Sequence, residues 1–162
     1  MVRNFVREQK PNFLLLQETK MEKEKVEQIK SFKDYCLKAS SSKGALGGTL
    51  MLWKSKYYSR TILNASKHLM VVKITSIDHN KVWYIVNVYA PNTKNLRKKV
   101  WNTLSHIKSI DYLGWWIIMG DFNVPLYDHE KKGGNVCQLD GRLDIMDFIN
   151  KEGLMDMDLH GI

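Results

Sequence analysis

Apolar positions along the chain fall mostly into short runs of strand length, with a few stripes at helical spacing between them. Val2, Phe5 and Val6 recur at helical spacing and predict an opening helix. It stops at Lys10-Pro11, because proline disfavours helix in the residue before it. Phe13 to Leu16 is a continuous apolar run that ends in polar Gln17, Glu18 and Thr19, which predicts a buried strand delivering a polar tip. Met21 to Lys30 predicts a charged helix with a thin apolar stripe of Val26 and Ile29. Strand signals then crowd together. Tyr35 to Ala39, Gly48 to Trp53, Tyr57 to Ala65, Leu69 to Thr75 and Val82 to Tyr89 are apolar or rich in β-branched and aromatic residues. Ser40 to Gly48 reads as a loop, and Asp78-His79-Asn80 as the turn of a hairpin between the last two strands.

Further on, Leu96, Val100, Trp101, Leu104 and Ile107 mark an amphipathic helix, with Asn92 or Thr93 as its cap. Trp115 to Met119 predicts another buried strand, followed at once by Gly120-Asp121-Phe122-Asn123. Residues 125–141 form a polar loop containing Gly133-Gly134. Leu143, Met146 and Ile149 suggest a last helix, for which Gly153 is a natural stop. There is no internal repeat and no linker. The predicted class is α/β (α+β) with largely antiparallel sheets, in one domain over 1–162.

Composition narrows the setting. At 162 residues the chain is long enough for one domain with a real core, and 44% apolar with 26% charged residues is ordinary for a globular protein. No run approaches transmembrane length, the first residues lack the apolar segment of a secretory signal, and Cys36 and Cys137 imply neither a disulfide framework nor a zinc site. The expected location is intracellular, the nucleus included, with no membrane partner. The net charge of +8 is uneven: residues 1–81 hold 16 Lys and Arg against 7 Asp and Glu, whereas residues 82–162 hold 9 against 10. A basic half suits a polyanionic partner, since clustered cations release counterions from phosphates. From charge alone, a soluble lysine-rich surface is the favoured reading.

Two acids stand out by position. Glu18 and Asp121 each directly follow an apolar strand, where a sheet exposes side chains at a cleft. Mg²⁺ needs only one or two protein carboxylates, with water and substrate phosphate completing its shell. Asp121 and Asn123 are two apart, so in extended backbone they share a side. Strand-end acids are also often merely solvated, or cap turns. Val88-Tyr89-Ala90-Pro91-Asn92 ends an aromatic strand with a phenol and an amide suited to hydrogen-bonding a phosphate, although Pro and Asn are equally at home in a strand-terminating turn. Gly47-Gly48 allows a close backbone approach or simply starts a strand.

In order along the chain, Leu15-Leu16-Gln17-Glu18-Thr19, Gly47-Gly48-Thr49, Val88-Tyr89-Ala90-Pro91-Asn92 and Gly120-Asp121-Phe122-Asn123 resemble the motifs of the endonuclease/exonuclease/phosphatase superfamily. The nearest resemblance is to the endonuclease domain of plant LINE-type (non-LTR) retrotransposons, through Gln17-Glu18-Thr19-Lys20 and Glu130-Lys131-Lys132-Gly133-Gly134. The resemblance implies a four-layer α/β sandwich with two packed, mostly antiparallel sheets flanked by helices. It implies Glu18 as ligand of Mg²⁺ (with Mn²⁺ as a substitute), Tyr89 on the scissile phosphate, Asp121 on the attacking water and Asn123 on the phosphate. Asn92 and Gln17 are secondary candidates. The implied reaction is phosphodiester hydrolysis on DNA by in-line attack of water.

The family domain begins with an Asn-bearing strand and ends with a Thr-Trp strand, a Ser-Arg-Ile/Leu-Asp segment and a Ser-Asp-His, none of which this chain contains. The sequence therefore predicts an incomplete sandwich, lacking its first strand and its C-terminal strands. His68, His79, His106, His129 and His160 carry no motif that replaces the missing acid–base pair. One such group is worth about 10²–10⁴ in rate, so weak or absent turnover is expected of this chain. Rival readings are a non-catalytic nucleic-acid-binding protein or transposon relic, and a phosphodiesterase acting on small phosphate esters.

Overall fold

The structure is a computed structural model and describes residues 2–19, 32, 34–40, 48–111, 113–127 and 141–157. The helix expected over Met21 to Lys30 and most of the loop over 125–141 lie outside them. Helix α1 (Val2–Gln9) leads into strand β1 (Phe13–Leu16). Strands β2 (Tyr35–Ala39), β3 (Leu50–Lys54), β4 (Tyr58–Ala65), β5 (Leu69–Ser76) and β6 (Val82–Tyr89) follow, then α2 (Lys94–Ile110), β7 (Trp115–Asp121) and α3 (Arg142–Glu152).

The strands form two sheets. One has the order β1-β3-β2 and is antiparallel throughout; the other has the order β4-β5-β6-β7, antiparallel until β6 and β7, which run parallel. A parallel neighbour needs a crossover, and α2 supplies it.

Side-chain alternation builds the layers. In β3, Leu50 and Leu52 pack outward with Val6 of α1 and Phe32, while Met51 and Trp53 face the second sheet. In β5 and β6, Met70, Val72, Ile74 and Ile85 meet them there, and Leu69, Val71, Val86 and Val88 face Val100, Trp101 and Leu104 of α2 and Ile145 and Phe148 of α3. The result is helix, sheet, sheet, helix. The central strands are apolar on both faces because both faces are covered. Full burial of a side chain such as Trp53 or Leu52 contributes about 1.5–3 kcal/mol each.

The structure corrects several expectations. Among the described residues β7 is an edge strand rather than a buried one: Trp115 is 71% exposed, and Trp116, Ile117 and Ile118 are half-buried. In α3 the core face is Ile145 and Phe148, while Leu143 and Met146 are exposed, because an 11-residue helix with scattered apolar positions has more than one plausible stripe. Leu96 of α2 is exposed, and buried Arg97 occupies the stripe position beside Val100, Trp101 and Leu104. Thr93 is the N-cap residue of α2 but makes no side-chain cap bond. Gly153 ends α3 in the left-handed conformation, as expected. Among the described residues, no helix is long and apolar enough to cross a membrane.

Candidate active site

β6 and β7 run parallel with Tyr89 paired to Asp121, so both strands end together at one rim of the sheet. Tyr89 lies in phase with Ile85, which faces the other sheet, and Asp121 lies in phase with Ile117, which packs in the same inter-sheet layer. β1 ends at the same rim from the opposite sheet. Glu18, two residues beyond β1, receives the Tyr89 hydroxyl on Oε1 at 2.6 Å. A carboxylate just beyond the first sheet thus meets a phenol of the other, and the register partner of that phenol, Asp121, brings a second carboxylate to the same rim.

Tyr89 is pushed up to about 12, chiefly by its hydrogen bond to Glu18, then by burial, then by the charges of Glu18 and Asp121. At neutral pH it is a protonated phenol that donates. Its backbone is clasped by His68: the Tyr89 amide donates to the His68 carbonyl at 3.0 Å, and His68 Nδ1 lies 2.9 Å from the Tyr89 carbonyl. A carbonyl only accepts, so Nδ1 carries the hydrogen. Burial lowers the His68 pKa, the bond to Tyr89 opposes that, and the neighbouring Lys67 adds to it.

Asp121 and Asn123 meet through a turn, not through extended backbone as the sequence suggested. Asn123 has φ 52, its backbone N–H donates to Asp121 Oδ1 at 2.9 Å, and its side-chain Nδ2 donates to the Ala90 carbonyl at 2.5 Å. The Ala90 amide in turn donates to the Asp121 carbonyl at 2.8 Å. Asp121 therefore does cap a turn, and the turn itself ties the Asp121–Asn123 segment to the Tyr89–Pro91 segment. Glu18 also has a positive φ, 49, a conformation that side chains other than glycine adopt only when their surroundings impose it.

The secondary candidates take other roles. Gln17 donates its amide to Asn87 Oδ1 at 2.6 Å. Asn92 is exposed, and its backbone carbonyl, like that of Pro91, receives Arg97 Nη1, at 2.6 and 3.2 Å. The described contacts do not join its side chain to the other four residues. Sequence reasoning missed Asn87, Arg97 and His68. The first two left a signal: Asn87 is a polar residue at an inward position of an apolar strand, and Arg97 sits in phase with the buried face of a helix. His68 left none.

The charges decide what can bind. Among these four residues Glu18 and Asp121 are carboxylates, and Tyr89 and Asn123 offer neutral donors, a set whose charge suits a cation. The oxygen donors suit a hard ion such as Mg²⁺, and Glu18 Oε1, which accepts the phenol, leaves Oε2 for it. Among the described residues no three His, Cys, Asp or Glu side chains gather into a metal cluster, so water and phosphate would complete the shell.

No family model and no curated protein matches the chain. Solved structures do. An AP endonuclease from Archaeoglobus fulgidus superposes with a TM-score of 0.68 at 18% identity, over 93% of this chain and 64% of that one. An endonuclease/exonuclease/phosphatase from Bacteroides vulgatus gives 0.57 at 14%, over 76% and 56%. TDP2 from D. rerio, complexed with a single-strand DNA product, gives 0.55 at 17%, over 76% and 52%. The chain has the endonuclease/exonuclease/phosphatase fold and spans between half and two thirds of the length of these structures.

Proposed function

We propose that Glu18, Tyr89, Asp121 and Asn123 form a Mg²⁺-dependent phosphodiester-hydrolysing site of the DNA endonuclease type, of the kind found in LINE-type retrotransposons. The observation that carries this reading is the meeting of Glu18 from one sheet with Tyr89, the register partner of Asp121, from the other. Glu18 would hold the cation, which would supply positive charge to offset that of a phosphate beside the carboxylates. Tyr89 donates its hydroxyl to the phosphate once that hydroxyl is released from Glu18. Asp121 orients and deprotonates the attacking water, and Asn123 Nδ2, with one hydrogen on Ala90, offers its second to the phosphate.

DNA as the substrate is supported by the basic first half of the chain and by the likeness to a structure solved with a single-strand DNA product. The LINE-type assignment rests on the sequence resemblance alone. The four residues include no imidazole, and the loss of one acid–base group costs about 10²–10⁴ in rate, so turnover by this chain is slow or nil.

A plasmid-nicking assay in Mg²⁺, paired with a Mn²⁺-binding titration, tests the reading. The expected result is slow nicking or none, with Mn²⁺ binding and any nicking both lost in Glu18→Gln. Metal-independent nicking, or Mn²⁺ binding indifferent to Glu18→Gln, overturns it. Fast nicking that depends on Glu18 would keep the site and overturn the slow turnover.

A further inference from the structure

Asn87 is the residue on β6 immediately before Tyr89 on the same face, and it is fully buried between the sheets. Its Nδ2 donates to the carbonyls of Leu16 and Leu50, both at 3.1 Å. Those two residues are register partners at the end of the β1–β3 ladder. Its Oδ1 accepts the Gln17 amide at 2.6 Å. The orientation of the amide is fixed by these partners: turned over, it would set its oxygen against two carbonyl oxygens and its nitrogen against a donor. A buried amide satisfied at both ends, by three partners on the opposite sheet, specifies one arrangement of that sheet.

The residue after Gln17 is Glu18, in its left-handed conformation, and beyond it the Thr19 amide donates to the Gly48 carbonyl at 3.3 Å. Leu16 and Gln17 on one side of Glu18, and Thr19 on the other, are thus all pinned. A disfavoured φ persists where the flanking structure over-determines it. Asn87 and Tyr89, two apart on one strand, grip consecutive residues of the other sheet.

We propose that Asn87 and Gln17 are positioning residues: they clamp the end of β1 so that Glu18 is held left-handed, with its carboxylate against the Tyr89 hydroxyl. The inference rests on the reading of Glu18 and Tyr89 as the site, but the clamp is observable without turnover. Partners that orient a ligating carboxylate typically account for 10–100-fold in metal affinity.

The test uses Asn87→Ala and Gln17→Met, with Gln17→Met on the half-buried side of the bond as the variant that keeps the fold. Proton NMR of the whole chain follows the Tyr89 hydroxyl, identified by its absence in Tyr89→Phe. Electron paramagnetic resonance of free Mn²⁺ gives the metal affinity. The hydroxyl resonance is expected in the wild type and lost in both variants, with Mn²⁺ affinity about tenfold weaker. Should Asn87→Ala fail to fold, Gln17→Met alone decides. A resonance missing from the wild type, or unchanged in Gln17→Met, overturns the clamp. A lost resonance with unchanged Mn²⁺ affinity supports the clamp and removes Glu18 from the metal site, so the two failures are distinguishable.

Discussion

Gly120 lies directly against the backbone of Val88, its register partner on the parallel strand β6. A Cβ on Gly120 would overlap the Val88 carbonyl oxygen and sit 2.8 Å from the Val88 carbonyl carbon and nitrogen. Its φ of 139 is also one that other residues rarely adopt. The glycine allows β7 to approach β6 closely at the point where both strands deliver the proposed site residues Tyr89 and Asp121. Gly120→Ala must separate the strands or bend β7, since the clash is with backbone that no rotamer change relieves. The expected loss is at least 2–3 kcal/mol, from overpacking and φ strain together. Chemical denaturation of the variant beside the wild type measures it, and a loss under 1 kcal/mol would show that β7 accommodates the methyl.

The left-handed φ of Glu18 can be isolated by two substitutions that both delete the carboxylate. Glu18→Ala keeps a Cβ in the disfavoured region, whereas Glu18→Gly does not. Both lose the same hydrogen bond to Tyr89, so their difference reports the backbone alone. Glu18→Gly is expected to be the more stable by about 1 kcal/mol. Equal melting midpoints would mean that Glu18 is not held left-handed in solution. Mn²⁺ binding should be lost in both.

The hydrogen bond between Tyr89 and Glu18 has a pH signature. With its pKa raised from 10 to about 12, the phenol stays protonated where an ordinary tyrosine ionises. Because the folded value is raised, the stability from this proton is whole below pH 10 and is lost as pH rises from 10 through 12. Absorbance at alkaline pH, as the difference between wild type and Tyr89→Phe, should show a phenol titrating near 12. The difference is needed because burial also raises Tyr84 and Tyr35. In Glu18→Ala the value should fall towards 10, since the bond to Glu18 is the largest cause of the shift. A Tyr89 that titrates at its ordinary value in the wild type rules out the contact.

The four proposed site residues were legible in the sequence because each lies at or within two residues of the end of a run of strand length, and alternation makes such runs easy to read. β4, β5 and β6 were legible for the same reason. What was not legible depends on partners far along the chain. Asn87 makes sense only once β6 is known to cross the ends of β1 and β3, and Gln17 reads as a free amide until that crossing buries its partner. The positive φ of Glu18 leaves no composition signal, whereas that of Asn123 leaves a weak one, since asparagine tolerates the left-handed region better than most residues. Trp115 to Met119 reads as buried from its apolarity, but burial is set by which strand lies beside it, and among the described residues β7 has a strand neighbour on one side.

That edge makes a last prediction. Trp115 to Met119 contains no charged residue, and Trp115 is largely exposed. β4, the opposite edge of the same sheet, is blunted by exposed Ser59, Arg60 and Thr61 and by an irregularity between Ile62 and Asn64. Natural sheets protect free edges in the manner of β4, and an edge without such protection pairs with other chains. The isolated chain should therefore self-associate as its concentration rises, by size-exclusion chromatography with light scattering. Trp115→Lys places a charge on the strand without emptying the core, so stability should change by less than about 0.5 kcal/mol while the monomer fraction increases. A wild-type chain that remains a monodisperse monomer with a cooperative melt would mean that the β7 edge is not adhesive.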